Sequence, residues 1–188
     1  MIAADAGLTL AHALGMTPAL TVGDFDSLGH LPEGGETVRL PVEKDDTDMA
    51  AAIGIGRGRG YRRFYLLGGT GGRPDHTYAN YQLLADCARR GEEAILFGVG
   101  FRAAAIADGA HLTFPADATG TLSVFSACGE ATGVSERGVY YPLSGATLSG
   151  TFPLGVSNHF LPGEAAEISV GAGVLLVFFE GNILPEFS

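Results

Sequence analysis

"RFYLLGGTGGRPDHTYANYQLLADCARRGEEAILFGVG" occupies residues 63–100, and its reading decides the fold. "RFYLLGG" (63–69) is a short apolar run of strand type, ended by glycines. "DHTYANYQLLADCARRG" (75–91) reads as a helix whose sheet-facing side carries Leu83, Leu84 and Cys87, with the amide of Asn80 among them. "AILFGVG" (94–100) is a second strand. Strand, helix, strand in this order argues for a parallel sheet covered by helices.

The same alternation extends upstream. "IAAD" (2–5) is a strand, "TLAHALG" (9–15) a helix closed by Gly15, and "ALTVGD" (19–24) a strand. "TVRLPV" (37–42) is another strand, followed by the helix "DTDMAAAIGIG" (46–56). "GIGRGRG" (54–60) stands at the end of that helix, so it reads as a terminator and loop, not as a phosphate loop opening a helix. Downstream the character changes near residue 115. "TLSVFSACG", "GVYYPLSG", "ATLSGTFPL", "NHFLPG", "AEISVGAG" and "VLLVFFEGN" are short, β-rich and punctuated by Gly and Pro, with no helical period. The expected fold class is α/β plus all-β. A parallel-sheet α/β domain over residues 1–115 is followed by an antiparallel β-sandwich over residues 116–188.

Composition narrows the function. The 188 residues are 46% hydrophobic and 17% charged, enough for a core and unlike a disordered chain. Eleven Lys and Arg stand against 21 Asp and Glu, a net charge of −10, which argues against a nucleic-acid partner. No apolar run reaches the roughly 18 residues of a membrane span, and "MIAADAGLTL" lacks the basic start of a secretory signal. Cys87 and Cys128 lie far apart and suggest neither a disulfide framework nor a metal ligand set, so a reducing cytoplasm is expected. If so acidic a chain binds a phosphate ester, the repulsion must be cancelled locally, by a carboxylate-held cation and a few basic groups.

The acidic residues cluster just past the apolar strands. In "GDFDS" (23–27) the period of an extended chain puts Asp24 and Asp26 on one side and turns Phe25 toward the core. In "EKDDTD" (43–48), Asp45 and Asp48 are three apart at a helix start and share a face. Asp75 sits where the glycine-rich "GGTGGR" (68–73) enters its helix, and Asp5 ends the first strand. Taken singly, each cluster also suits a turn or an N-cap; Asp46 or Thr47 would cap the second helix. Together, at successive strand ends, they suit a hard cation such as Mg²⁺ bound through oxygen ligands. The loop glycines, Gly71 and Gly72 among them, let backbone N–H groups approach an anion. Arg73 can grip phosphate bidentately, and Lys44 adds a second positive charge. His76 is either a ligand contact or an ordinary polar residue at a helix start. Asn80, buried on its helix, must find hydrogen-bond partners.

The ordered set "ADAG" (4–7), "GDFDS", "EKDDTD", "GGTGGRPDH" (68–76) with "AN" (79–80), and "GVSN" (155–158) resembles the thiamin pyrophosphokinase (thiamine diphosphokinase) family across nearly the whole chain. The resemblance implies a homodimer that holds thiamin between the α/β domain of one subunit and the β domain of the other. It implies Mg²⁺ as cofactor and ATP as co-substrate. Asp24, Asp26 and Asp48 match the acidic positions that hold Mg²⁺ and the ATP phosphates, and they and Asp75 are the implied catalytic residues. Asp5, Lys44, Asp45, Gly71, Gly72, Arg73, His76 and Asn80 fall on the nucleotide side. Ser157 and Asn158 match the "SN" associated with the thiamin pyrimidine. The family usually reads "ADGGAN" where this chain reads "ADAGLT", and its members carry an extra strand before that segment. The chain has no Trp, so any ring stacking on thiamin falls to Phe, Tyr or His, with His159 and Phe160 as candidates. Two rival readings are a metal-dependent phosphoesterase and a catalytically impaired nucleotide- or thiamin-binding module.

Overall fold

The computed structural model describes residues 1–25, 35–41 and 45–188, which divide into two compact units, Met1–Arg62 and Arg63–Ser188. In the first unit, β1 (Ile2–Ala4), β2 (Leu20–Gly23) and β3 (Glu36–Arg39) form a parallel sheet in that order. The register pairs Ile2 with Leu20 and Val22 with Val38. Central β2 is buried at all four positions, as expected of an inner parallel strand. Helix α1 (Gly7–Ala13) packs on β1, and α2 (Asp48–Gly58) packs on β1 and β2. Thr47 caps α2, its Oγ1 accepting from the Ala50 N–H at 3.1 Å. The helix runs through the expected stop at Gly56 and ends at Gly58, with Arg59 as C-cap and Gly60, at φ +89°, just beyond it.

The second unit opens with β4 (Arg63–Leu67), α3 (Pro74–Arg89) and β5 (Glu93–Phe97), with β4 and β5 parallel. It continues through β6 (Arg102–Ala107), β7 (His111–Phe114), β8 (Thr121–Ser126), β9 (Glu130–Arg137) and β10 (Leu143–Ser149). It ends with β11 (Gly155–His159), β12 (Ala166–Ser169), β13 (Val174–Phe179) and β14 (Glu186–Phe187). Two sheets result, in the orders β11-β8-β13-β6-β5-β4 and β10-β9-β12-β7-β14. The five-stranded sheet is antiparallel throughout, and the six-stranded sheet is antiparallel except for β4–β5.

The sheets and the composition divide the chain at different places. The six-stranded sheet crosses residue 115 without a break, because β6 pairs with β5 on one side and β13 on the other. The compact division therefore falls between residues 62 and 63, while the change in composition falls near 115. Strand β6 is hard to read as a strand because Ala103, Ala104, Ala105 and Ala107 have low β propensity. All four are buried nonetheless, under α3 and against the shared core, where small side chains let neighbouring layers approach. Inward-facing residues of both sheets join one buried cluster. Ile106, Val124 and Val177 contribute from the six-stranded sheet, and Phe114, Val134 and Ile168 from the five-stranded one. Phe114 centres it, with ring centroids 5.0 Å from Phe160 and 5.1 Å from Phe179. On the opposite face of β13, Phe178 meets Tyr81 of α3 edge-on at 5.0 Å.

Candidate active site

In the first unit, two adjacent strands end in aspartates. The Asp5 N–H donates to the Val22 carbonyl at 2.8 Å, and its own carbonyl accepts from the Leu8 N–H at 3.0 Å as α1 begins. A Cβ added at Gly23 would lie 3.2 Å from both Cα and Cβ of Asp5, so the glycine of "GDFDS" lets the two strand ends come together. The third strand is tied in as well, through the Leu40 N–H donating to Gly23 O at 2.9 Å. Asp24 follows, half-buried. Phe25 is 4% exposed, as expected of a core side chain, but its φ is +62°. The chain therefore leaves the extended state at Phe25. Asp26 and Lys44 lie outside the described residues.

Asp48 is the first residue of α2 and half-buried, where the helix dipole favours a carboxylate. Asp45 is exposed in the bend that precedes the cap. The three-residue helical spacing expected of Asp45 and Asp48 fails, since only Asp48 is helical. Among the described residues, no three His, Cys, Asp or Glu side chains gather as a metal site.

In the second unit, the glycine-rich loop leaves β4 and enters α3. Gly68 and Gly71 adopt φ of +72° and +87°. Asn80 finds the partner that its burial requires, its Nδ2 donating to Gly69 O at 2.8 Å. A Cβ at Gly69 would sit 2.7 Å from Leu96 Cδ1 and 2.9 Å from Asn80 Nδ2. Asn80 thus positions the loop from beneath, whereas Gly71, Gly72 and His76 are exposed on it. Arg73 is the extended N-cap and Pro74 the first helical residue. The Arg73 guanidinium grips Asp75 bidentately, Nε to Oδ1 at 3.2 Å and Nη2 to Oδ2 at 2.5 Å. The His76 N–H also donates to Asp75 Oδ1, at 3.0 Å. The bond from Arg73, helped by that N–H, holds the Asp75 carboxyl down to about 2. Asp75 is therefore a weak base at neutral pH.

In the C-terminal part, "GVSN" lies on β11, at a register shift against β8 between Gly155 and Asn158. Ser157 is exposed with φ +60°, and its N–H donates to Ser123 Oγ at 3.0 Å. Asn158 is 5% exposed, and all four hydrogen-bonding positions of its amide are used inside the protein. Oδ1 accepts from the Tyr141 N–H at 3.0 Å and the His159 N–H at 2.9 Å. Nδ2 donates to Tyr141 O and to Glu136 Oε2, both at 2.9 Å. Glu136 is 1% exposed; burial pushes its carboxyl up, and the Asn158 bond opposes this. Sequence reasoning missed Glu136. The signal was the period of two in "VSE" (134–136), which places Glu136 on the same inward face as Val134. Beside this network Tyr140 stands edge-on to His159, ring centroids 6.3 Å apart. Both line a shallow cavity of about 400 Å³ with Thr119, Gly120, Phe160 and Pro162.

Parallel strands ending in aspartates, a glycine-rich loop running into a helix and an antiparallel C-terminal part define an α/β-plus-β protein. Comparison with known proteins identifies which one. Residues 1–96 match the description "Thiamin pyrophosphokinase, catalytic domain", and residues 111–175 match "Thiamin pyrophosphokinase, vitamin B1 binding domain". The chain belongs to the thiamin pyrophosphokinase family, and the function these matches support is the enzyme activity of that name.

No curated protein matches the sequence. Among solved structures, the thiamine pyrophosphokinase of Bacillus subtilis is 20% identical with a TM-score of 0.82, over 97% of this chain and 87% of that one. The thiamin pyrophosphokinase of Geobacillus thermodenitrificans is 24% identical with a TM-score of 0.79, over 96% and 86%. Yeast thiamin pyrophosphokinase is 13% identical with a TM-score of 0.76, over 96% and 78%. At these identities the three structures establish the fold, while the family rests on the two matched domains.

Proposed function

We propose that the chain transfers a pyrophosphoryl group from ATP to the hydroxyl of thiamin, with Mg²⁺, giving thiamin diphosphate and AMP. The observation that carries this reading is the meeting of Asp5 and Gly23–Asp24 at the carboxyl ends of adjacent parallel strands, in a chain that matches both family domains in order. The donor chemistry there fits Mg²⁺, since the candidates are hard carboxylate oxygens without Cys or His. Asp24, Asp26 and Asp48 would hold the ion. When bound, it supplies charge neutralisation on the phosphates.

In the transfer, the thiamin oxygen bonds to the β-phosphorus and the bond from that phosphorus to the α-bridging oxygen breaks. AMP leaves with the electron pair. The hydroxyl proton needs an acceptor. Asp48 and Asp75 are the candidates, and Asp75, held by Arg73, is a weaker base than an ordinary carboxylate. Arg73 sits at the mouth of the loop and can share its guanidinium between Asp75 and phosphate, while the N–H groups about Gly71 and Gly72 line the same approach. Lys44, Asp45 and His76 complete the proposed nucleotide side. Much of the work is positioning and charge stabilisation.

The functional division we propose keeps residues 1–115 for nucleotide and metal and residues 116–188, as a β-sandwich, for thiamin and dimerisation. Exposed Tyr140, Tyr141, Phe152, Leu154 and Val156 in the C-terminal part support a homodimer with thiamin at the subunit interface. Among the described residues, no helix is long and apolar enough to cross a membrane. ATP as co-substrate supports a cytoplasmic reaction. The test is to incubate the protein with ATP, Mg²⁺ and thiamin and to resolve AMP from ADP. AMP formed in step with thiamin diphosphate is the expected result, and ADP with thiamin monophosphate would overturn pyrophosphoryl transfer.

A further inference from the structure

A carboxylic acid in a hydrophobic core is costly unless something requires it. Glu136 points inward from β9, beside Val134 and the shared apolar cluster, and takes no part in the chemistry proposed above. Its Oε2 accepts the second N–H of Asn158, and the remaining amide positions of Asn158 grip the Tyr141 N–H, the Tyr141 carbonyl and the His159 N–H. The amide thereby takes the place of a strand residue. It pairs with Tyr141 through both backbone groups, while the Tyr140 N–H donates to His159 O at 3.0 Å. These bonds join the segment after β9 to the bulged strand β11. The Tyr140 ring, the His159 ring and Ser157, held at φ +60°, all lie along that seam.

We infer that Glu136 is a positioning residue for the thiamin side of the active site, acting by fixing the Asn158 amide that sets Ser157, Tyr140 and His159. This rests on the reading that the "SN" segment meets thiamin. Asn158 itself then serves as the clamp, and the substrate contacts pass to the groups it places. A hydrogen-bond acceptor is what the site needs from position 136, and charge is secondary.

The experiment compares Glu136→Leu, Glu136→Gln and Ser157→Ala in the full chain, measuring KM for thiamin, KM for ATP, kcat and thermal stability. Glu136→Leu removes the acceptor and should raise the thiamin KM about tenfold, in line with an unsatisfied buried donor. The ATP KM and kcat should stay within about twofold, a split that general destabilisation would not produce. Glu136→Gln can present an oxygen to the same N–H and should keep the thiamin KM within about threefold. If Glu136→Leu does not fold, Glu136→Asp replaces it, because withdrawing the carboxylate by one methylene breaks the same bond; the same rise is expected. An unchanged thiamin KM in the acceptor-deficient variant overturns the inference, as does an equal rise in Glu136→Gln. If Ser157→Ala raises the thiamin KM in either case, the site reading stands and only the role of Glu136 falls. If Ser157→Ala and the Glu136 variants all leave the thiamin KM unchanged, the site reading falls with it.

Discussion

Replacing Asn158 by alanine should be among the most damaging single changes in the C-terminal part. The substitution removes one amide and leaves four groups without their partner: Glu136 Oε2, the Tyr141 N–H and carbonyl, and the His159 N–H. Glu136 is 1% exposed, so water cannot replace the lost donor, and a buried polar group left unsatisfied costs about 1–3 kcal/mol. The Tyr141 and His159 backbone groups lie nearer the surface, where each lost bond costs roughly 0.5–1 kcal/mol because water substitutes in part. Together the loss is about 3–5 kcal/mol, a large fraction of a typical domain's stability. For a chain of this length that corresponds to a fall in Tm of roughly 6–20 °C. Urea denaturation followed by far-UV circular dichroism, with Tm measured in parallel, reads the effect. A loss below about 1 kcal/mol with an unchanged denaturant slope would refute the argument, since it would mean that the four bonds have no net worth together. Asn158→Asp adds a control on sign. It sets a second carboxyl against Glu136, so it should be least stable at neutral pH and recover on acidification, as one of the pair takes up a proton.

Two further outcomes follow from the same geometry. Burial raises the Glu136 carboxyl above its ordinary value of 4.5, so the folded state keeps a proton that the unfolded state has released. That contribution lowers stability as pH rises from about 4.5 through the folded value, and it is then constant. Glu136→Gln should remove this fall, and a stability–pH curve identical to that of the unaltered chain would contradict it. Asp24→Asn and Asp26→Asn should each cut turnover by about a hundredfold or more while Tm moves only a few degrees. Turnover equal to that of the unaltered protein at the same Mg²⁺ concentration would remove that residue from the proposed metal set.

Local chemistry was legible wherever it was sufficient. Strand β2 reads from "ALTVGD" because an inner parallel strand is apolar on both faces. The α3 helix reads from the spacing of Leu84 and Cys87, and Thr47 reads as a cap because its hydroxyl needs only a neighbour three residues away. Asn80 was recognisable as a buried amide in want of a partner, although only the fold shows that the partner is Gly69 O. The acidic motifs marked the strand ends, yet the backbone about them departs from the regular conformations assumed there. Phe25 turns to φ +62° and Asp45 falls outside α2, since backbone conformation at a chain's exit from a strand or entry to a helix is set by what packs there.

By itself, then, the sequence determined the alternation of strands and helices through residue 100, the change to β-rich text near residue 115, and the set of motifs that define the family. These depend on periodicity, turn residues and side-chain chemistry, all short-range along the chain. The tertiary structure decided the rest. It made a strand of alanine-rich 102–107 by burying both of its faces, and it carried one sheet across residue 115. It also brought Glu136, Tyr141 and Asn158 together from positions up to 22 residues apart. Such pairings follow from which strands lie side by side in the folded chain, and no local pattern encodes that.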